Sequence, residues 1–323
     1  MKNASMLIHP EELSLKWVDR LVKYRIPTLA LHPVGGREAD KSLERMLKLS
    51  EDKNFTSIID YACEKGLKIE YEMHAVRYLL PADEFETHPD WFRVDKDGKR
   101  TPDFNFCASN EEALDFICER AVGLVKKLYR STSRYFLWLD DSKDSLCHCA
   151  ECSKLTPSDQ QLKILNRIAV RLKSDDPLAS LAYLAYFDCM EPPQIIKPEK
   201  NIFLEYAPIE RNMHRPLLHG SDDRALKKLL GVFGKDTAKI LEYWYDNSLF
   251  SGWKKPPERF SPDKAVIFSD FEFYRSFGIE DIGSFACYLG EDYEKIYGEA
   301  DFSPFADAYN SSGCNGKNTA VLI

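Results

Sequence analysis

Short apolar runs alternate with longer amphipathic stretches from one end of the chain to the other. The candidate strands are Met6–His9, Thr28–His32, Lys68–His74, Tyr135–Asp140, Leu181–Tyr186, Ile202–Tyr206, Ile240–Tyr245 and Ile282–Tyr288, eight in all. Most are followed closely by Pro, Gly, Asp or His, and Pro, Gly and Asp are residues that favour turns. Between them, Pro10–Tyr24, Leu43–Lys65, Glu111–Tyr129, Ser158–Lys173, Asp222–Phe233 and Ser269–Phe277 repeat apolar residues at i, i+3 and i+4, the period of a one-sided helix. Ser109-Asn110 before Glu111, and Ser158-Asp159 before Gln160, supply oxygen acceptors for the first helical turns. The link from the fifth strand to the sixth, through Glu191-Pro192-Pro193-Gln194, is too short and Pro-rich for a full helix.

Strand–helix alternation repeated eight times predicts a (β/α)8 TIM-type barrel of the α/β class. The competing arrangement is a doubly wound open sheet with a small cap domain. No internal repeat, low-complexity segment or Gly/Ser linker divides the 323 residues, so one domain over 1–323 is expected. Its two long departures are an excursion at about 81–106 after the third strand and a Cys-rich loop at 142–156 after the fourth.

Composition narrows the function. There are 44 basic side chains against 52 acidic ones, a net charge of −8, and no long basic run, which argues against partners that are nucleic acids or anionic membranes. No stretch approaches the ~18 apolar residues of a membrane span. The N-terminus lacks the ~7–15-residue apolar core of a signal peptide, so a cytoplasmic location is expected. Nine cysteines, an odd number in a long chain, do not form the disulfide framework of a small secreted domain.

Alternate residues of a barrel strand face opposite sides, one set toward the outer helices and the other toward the lumen and its C-terminal mouth. By this parity Glu70, Glu72 and His74 share a face, Asp140 goes with Trp138, and Glu205 is separated from Leu204. Along the seventh strand the set is Glu242, Trp244 and Asp246. Carboxylates thus recur near the ends of several strands, where barrel enzymes place their chemistry. Rings are plentiful there too, among them Trp138, Tyr186, Tyr206, Tyr243, Trp244, Trp253 and Tyr288. Carboxylates and aromatics at one mouth, with no Gly-rich phosphate loop, suit a sugar better than a nucleotide. Rings stack on pyranose faces, and carboxylates serve as acid, base or nucleophile.

Trp138-Leu139-Asp140-Asp141 ends the fourth strand. Adjacent carboxylates raise one another's pKa, which favours a protonated acid beside an ionised neighbour. Residues adjacent in sequence cannot flank a glycosidic bond at the ~5–5.5 Å of a two-carboxylate retaining pair. They can divide the work when a 2-acetamido group of the substrate is the nucleophile, one orienting that amide and the other protonating the leaving oxygen. The plain alternative is a strand-to-loop exit, where Asp pairs are common. His9-Pro10 and His32-Pro33 read as structural loop entries, whereas His74 shares a face with Glu72, which could set its tautomer.

Cys147, Cys149 and Cys152 follow in a C-x-C-x-x-C pattern that can converge on one soft cation, with Cys107 or His148 as a fourth ligand. A closed thiolate set would hold a structural zinc. Free buried thiols or a redox pair are the alternatives. Cys63, Cys118, Cys189, Cys287 and Cys314 are isolated.

The run His88-Pro89-Asp90-Trp91-Phe92, Asp97-Gly98-Lys99-Arg100, Cys107-Ala108-Ser109-Asn110, Asp140-Asp141 and then Cys147, Cys149 and Cys152 resembles bacterial glycoside hydrolase family 163, first catalogued as a domain of unknown function. His74, Glu191-Pro192-Pro193 and Glu205-Tyr206-Ala207-Pro208-Ile209 extend the resemblance over about residues 70–290. It implies a barrel related to N-acetylhexosaminidases and an endo-β-N-acetylglucosaminidase activity. Leu139-Asp140-Asp141 is also similar to the aspartate pair of family 84 O-GlcNAc hydrolases. That similarity implies Asp140 as the acetamide-orienting residue and Asp141 as the general acid/base.

The expectation is therefore a retaining, substrate-assisted glycosidase acting on β-linked N-acetylhexosaminides. Asp140 and Asp141 would be catalytic, and His74, Tyr186, Glu205, Glu242, Tyr243 and Trp244 would bind the sugar. No cofactor is expected for catalysis, and Cys107, Cys147, Cys149 and Cys152 form a possible structural zinc site. The alternatives are a two-carboxylate glycosidase pairing Asp141 with Glu242, a non-catalytic carbohydrate-binding barrel, and a catalytic zinc site at the cysteines.

Overall fold

A computed structural model describes residues 2–311; Cys314 lies outside them. The apolar runs form eight strands: β1 (Asn3–Ile8), β2 (Thr28–Leu31), β3 (Lys68–His74), β4 (Arg134–Trp138), β5 (Ser180–Ala185), β6 (Ile202–Tyr206), β7 (Lys239–Glu242) and β8 (Asp281–Phe285). All neighbours pair in parallel, in sequence order, and the sheet closes where Asn3 of β1 meets Asp281 of β8. The fold is the expected (β/α)8 barrel, not the open sheet.

Strand parity sorts the core into two layers. Leu7, Ala30, Phe136, Trp138, Ala182, Leu184, Phe203, Leu241 and Phe285 fill the lumen. Met6, Ile8, Leu29, Leu31, Ile69, Leu137, Leu181 and Leu204 pack outward against the helices. Below the mouth the lumen is charged. Lys239, fully buried, is bonded to Glu72 and, at 2.8 Å, to Glu205. Burial holds the Glu72 carboxyl well above the usual carboxylate range, Lys239 opposing.

Several helices differ in extent from the periodicity. The stretch 43–65 is two helices, Ala39–Leu49 and Lys53–Glu64, the second capped by Asp52 accepting from Asn54 N and Phe55 N. The helix at 264–276 starts earlier than expected because Asp263 caps it, accepting from Val266 N. Pro157–Asp175 is capped two residues upstream of the Ser-Asp pair, by Thr156, in a reciprocal box with Asp159. Asp159 also accepts the N–H groups of Gln194, Ile195 and Ile196 at 3.0, 2.8 and 2.8 Å, and thereby anchors the link from β5 to β6, which holds one 3-10 turn, Phe187–Cys189, and no α-helix.

The excursion after β3 contains a short helix, Val76–Leu79, then turns, and folds back on itself through antiparallel bridges Phe92 to Phe106 and Val94 to Arg100. It lies against the Cys-rich loop, with His148 N donating to Val94 O at 2.7 Å.

Candidate active site

A cavity of about 410 Å³ opens at the C-terminal mouth of the barrel. Trp138, Leu184, Leu241 and Phe285 from the strands or their ends line it, with Gly35, Asp141, Tyr186, Tyr243, Asp246, Trp253 and Tyr288 from strand exits and loops. Tyr243 stacks on Phe285 with centroids 5.0 Å apart and planes 15° apart. Trp253 and Tyr288 hold positive φ values of 56° and 63°, the strained left-handed region, as rim residues of functional sites often do. A second cavity, about 240 Å³, opens at the opposite end of the barrel. There Arg134 pairs with Asp281 at 2.8 Å and with Glu70 at 3.7 Å, which suits a structural role.

The three histidines that end β1, β2 and β3 form a ladder. His9 Nδ1 bonds to His32 O at 2.9 Å, His32 Nδ1 to Glu72 O at 2.8 Å and His74 Nδ1 to Leu139 O at 2.5 Å. A carbonyl oxygen only accepts, so each Nδ1 carries a proton. Burial pushes His9 and His32 below the usual imidazole range, and they are neutral at pH 7. The expectation that Glu72 sets the His74 tautomer is corrected: the Leu139 carbonyl does. His9 and His32, read as structural loop entries, both line the cavity.

Asp141 faces the cavity, and Tyr186 donates its hydroxyl to Asp141 Oδ1 at 2.9 Å. Burial pushes the Tyr186 phenol far up, so it remains a donor. Gly35 lies so close that a Cβ there would stand 2.9 Å from both Asp141 Oδ2 and His74 Cδ2, which leaves room for glycine only. Asp140 turns elsewhere. It lines a recess of about 30 Å³ with Asn105 and Ser145, faces Arg77 at 3.6 Å, and accepts the Asp141 N–H on Oδ1 at 2.9 Å. Its own N–H donates to Asn105 Oδ1 at 2.9 Å, and burial raises its pKa.

Of the expected sugar contacts, His74, Tyr186 and Tyr243 line the cavity and three do not. Glu205 is buried beneath it, where Oε2 accepts from Trp138 Nε1 at 2.8 Å; it holds the indole of the cavity floor. Glu242 and Trp244 point outward, against the parity expected of β7. Arg211 Nε meets both Glu242 oxygens at 3.1 Å, Tyr274 donates to Glu242, and Trp244 Nε1 donates to Asp270 at 3.0 Å. The partners of Glu242 and Trp244 on the helix Lys264–Ser276 decide the face. Glu242 thus cannot pair with Asp141 across a substrate.

Asp246 lies in the cavity without being among the site residues expected from the sequence. Past the end of β7 strict alternation lapses, and Asp246 lines the cavity together with Tyr243. Its Oδ1 accepts Ser248 N at 3.1 Å, Ser248 Oγ at 2.5 Å and Leu249 N at 3.3 Å, and burial pushes its pKa up to about 6. Its carboxylate shared the predicted strand face with Glu242 and was the signal that could have found it.

Beside this site the four sulfurs of Cys107, Cys147, Cys149 and Cys152 lie within 4.8 Å of one another. They converge as the spacing predicts, and His148 is not among them. No helix among the described residues is long and apolar enough to cross a membrane.

Solved structures similar in fold include a Thermobaculum terrenum O-GlcNAc hydrolase mutant, at 12% identity and TM-score 0.54, matched over 96% of this chain and 59% of that one. A beta-galactosidase from Rahnella sp. R3 matches at 13% identity and TM-score 0.51, over 88% of this chain and 50% of that one. A beta-galactosidase from Marinomonas ef1 matches at 11% identity and TM-score 0.52, over 88% of this chain and 54% of that one. The chain therefore spans between half and three-fifths of the length of these proteins. A search of the curated proteins gives no match. The family model described as Domain of unknown function (DUF4838) matches residues 6–294, and the chain belongs to that family.

Proposed function

We propose that this protein is a glycoside hydrolase that cleaves β-linked N-acetylhexosaminides with retention, with the substrate's own acetamido group as nucleophile. One observation carries the reading. Among the described residues, Asp141 and Asp246 are the carboxylates lining a mouth cavity otherwise walled by imidazoles, aromatic rings and small or apolar groups. The similarity in fold to an O-GlcNAc hydrolase supports it by analogy, as does the motif resemblance to glycoside hydrolase family 163.

In the first step the acetamide oxygen attacks the anomeric carbon, the glycosidic bond breaks, and the Asp141 carboxyl gives its proton to the leaving oxygen. Asp246 accepts the amide N–H, which strengthens the attacking oxygen. In the second step Asp141 takes a proton from water as that water opens the cyclised intermediate, and the amide is regenerated with net retention. Tyr186 holds Asp141 in place by its hydroxyl. Asp140 is a positioning residue in this scheme rather than the acetamide partner, because it stands behind Asp141 and accepts its N–H. Trp138 and Tyr243 offer faces for the pyranose, and no cofactor takes part.

The Asp141→Asn variant is expected to lose ~10²–10⁴-fold in kcat on a GlcNAc glycoside, the usual contribution of a proton donor. Full activity in that variant would remove Asp141 from the role. A thiazoline mimic of the cyclised intermediate is expected to inhibit tightly. The elevated Asp246 pKa favours a second reading, with Asp246 as acid and Asp141 as covalent nucleophile. Under that reading the thiazoline binds weakly and a slow fluorinated glycoside labels Asp141.

A further inference from the structure

We propose that Cys107, Cys147, Cys149 and Cys152 bind one structural zinc ion that staples the excursion after β3 to the loop after β4, and so fixes the backbone carrying Asp141. The inference is independent of which sugar, if any, the cavity takes.

The sulfur geometry is the first ground. Cys107 Sγ lies 3.7 Å from Cys149 Sγ and 3.9 Å from Cys152 Sγ. A tetrahedron of thiolates at the usual Zn–S distance has sulfurs about 3.8 Å apart, whereas a disulfide needs about 2.05 Å. All four sulfurs fall within 4.8 Å of one another, so one ion reaches them all.

The surroundings are the second ground. Zinc with four thiolates carries a net charge of −2, which buried sulfurs sustain only with nearby donors. Val94 N donates to Cys147 Sγ at 3.3 Å, Cys149 N to the same sulfur at 3.5 Å, and Cys152 N to Cys149 Sγ at 3.5 Å. Ser109 Oγ lies 3.2 Å from Cys152 Sγ. Gln160 clamps the loop from behind, accepting Cys147 N and donating to Cys147 O and Cys152 O, each at 3.1 Å. Four sulfur ligands leave no open position for water, which makes the site structural rather than catalytic.

The link to Asp141 runs through Asn105. Two residues before Cys107, Asn105 accepts the Asp140 N–H at 2.9 Å and donates to Ser145 Oγ at 2.9 Å, two residues before Cys147. The ion would thus hold both ends of the segment on which the aspartate pair sits.

The test is elemental analysis of the full chain purified under reducing conditions without added metal, with about one zinc per chain expected. Exchange to cobalt should give sulfur-to-cobalt charge-transfer and tetrahedral ligand-field bands. Cys149→Ser, at the half-buried position, should lose zinc to a chelator about tenfold faster or more, while Cys63→Ser, outside the cluster, behaves as the parent. Metal-free folded protein whose four thiols all react freely, iron in place of zinc, or a disulfide within the set would each overturn the proposal. The parent protein alone decides these outcomes if Cys149→Ser fails to fold.

Discussion

Asp246 shows at the level of one residue what lining a cavity with a buried carboxylate costs. Its carboxyl is buried, no cation among the described residues is bonded to it, and three donors from its own helix start only partly offset the loss of water. Its pKa is raised from 3.8 to about 6, so the folded state favours the protonated form. Stability from this group is present below the unfolded pKa and is lost as pH rises through about 6. Asp246→Asn keeps a capping oxygen without the charge, and Asn caps helices as well as Asp. We expect the variant to be more stable than the parent at pH 8, by of order 3 kcal/mol, with the gain vanishing near pH 4. Denaturant midpoints across that range check it; a variant less stable at pH 8 would contradict the electrostatic account. Asp141 was legible in the sequence, since an Asp-Asp pair at the end of an apolar strand is a local signal. Which of the pair faces the cavity was not, because that follows from Asn105 and Arg77, both distant in sequence from Asp140.

At the level of elements, the strands were legible because alternation and apolar runs are backbone-period signals. The orientation of β7 was not. Both of its faces offer polar and aromatic side chains, so hydrophobicity does not choose between them. Arg211, Asp270 and Tyr274 choose, by supplying outward partners for Glu242 and Trp244, while Lys239 supplies the inward charge that Glu72 and Glu205 require. Removing that charge by Lys239→Met leaves two buried carboxylates without their cation. The expected cost is about 3–5 kcal/mol in unfolding free energy, read from denaturant titration. Adding Glu205→Gln should recover part of it, and an unchanged midpoint in the single variant would show that the lumen is wet enough to screen the pair.

For the whole molecule, closure of the ring is the decisive event. Asn3 ties three strands at the end far from the cavity, donating to Asp281 Oδ1 at 3.0 Å and accepting from Thr28 Oγ1 at 2.9 Å; Asp281 in turn meets Arg134 of β4 at 2.8 Å. Asn3→Ala leaves two buried partners unsatisfied and should cost about 1–3 kcal/mol. Thermal denaturation should show the loss while kcat on a GlcNAc glycoside, the substrate class proposed above, stays at the parent value, since barrels divide stability and chemistry between their two ends. A fall in kcat without a fall in stability would contradict that division. The sequence by itself determined the number and order of strands, the barrel class and the cysteine cluster, because these rest on period, spacing and side-chain chemistry. The tertiary structure alone decided that Asp246 joins Asp141, that Glu205 and Glu242 are structural, and that the histidines form a ladder. The structural glutamates and the ladder follow from partners supplied by distant segments once the ring has closed, whereas Asp246, held by its own Ser248 and Leu249, meets Asp141 because closure brings the strand exits to one mouth.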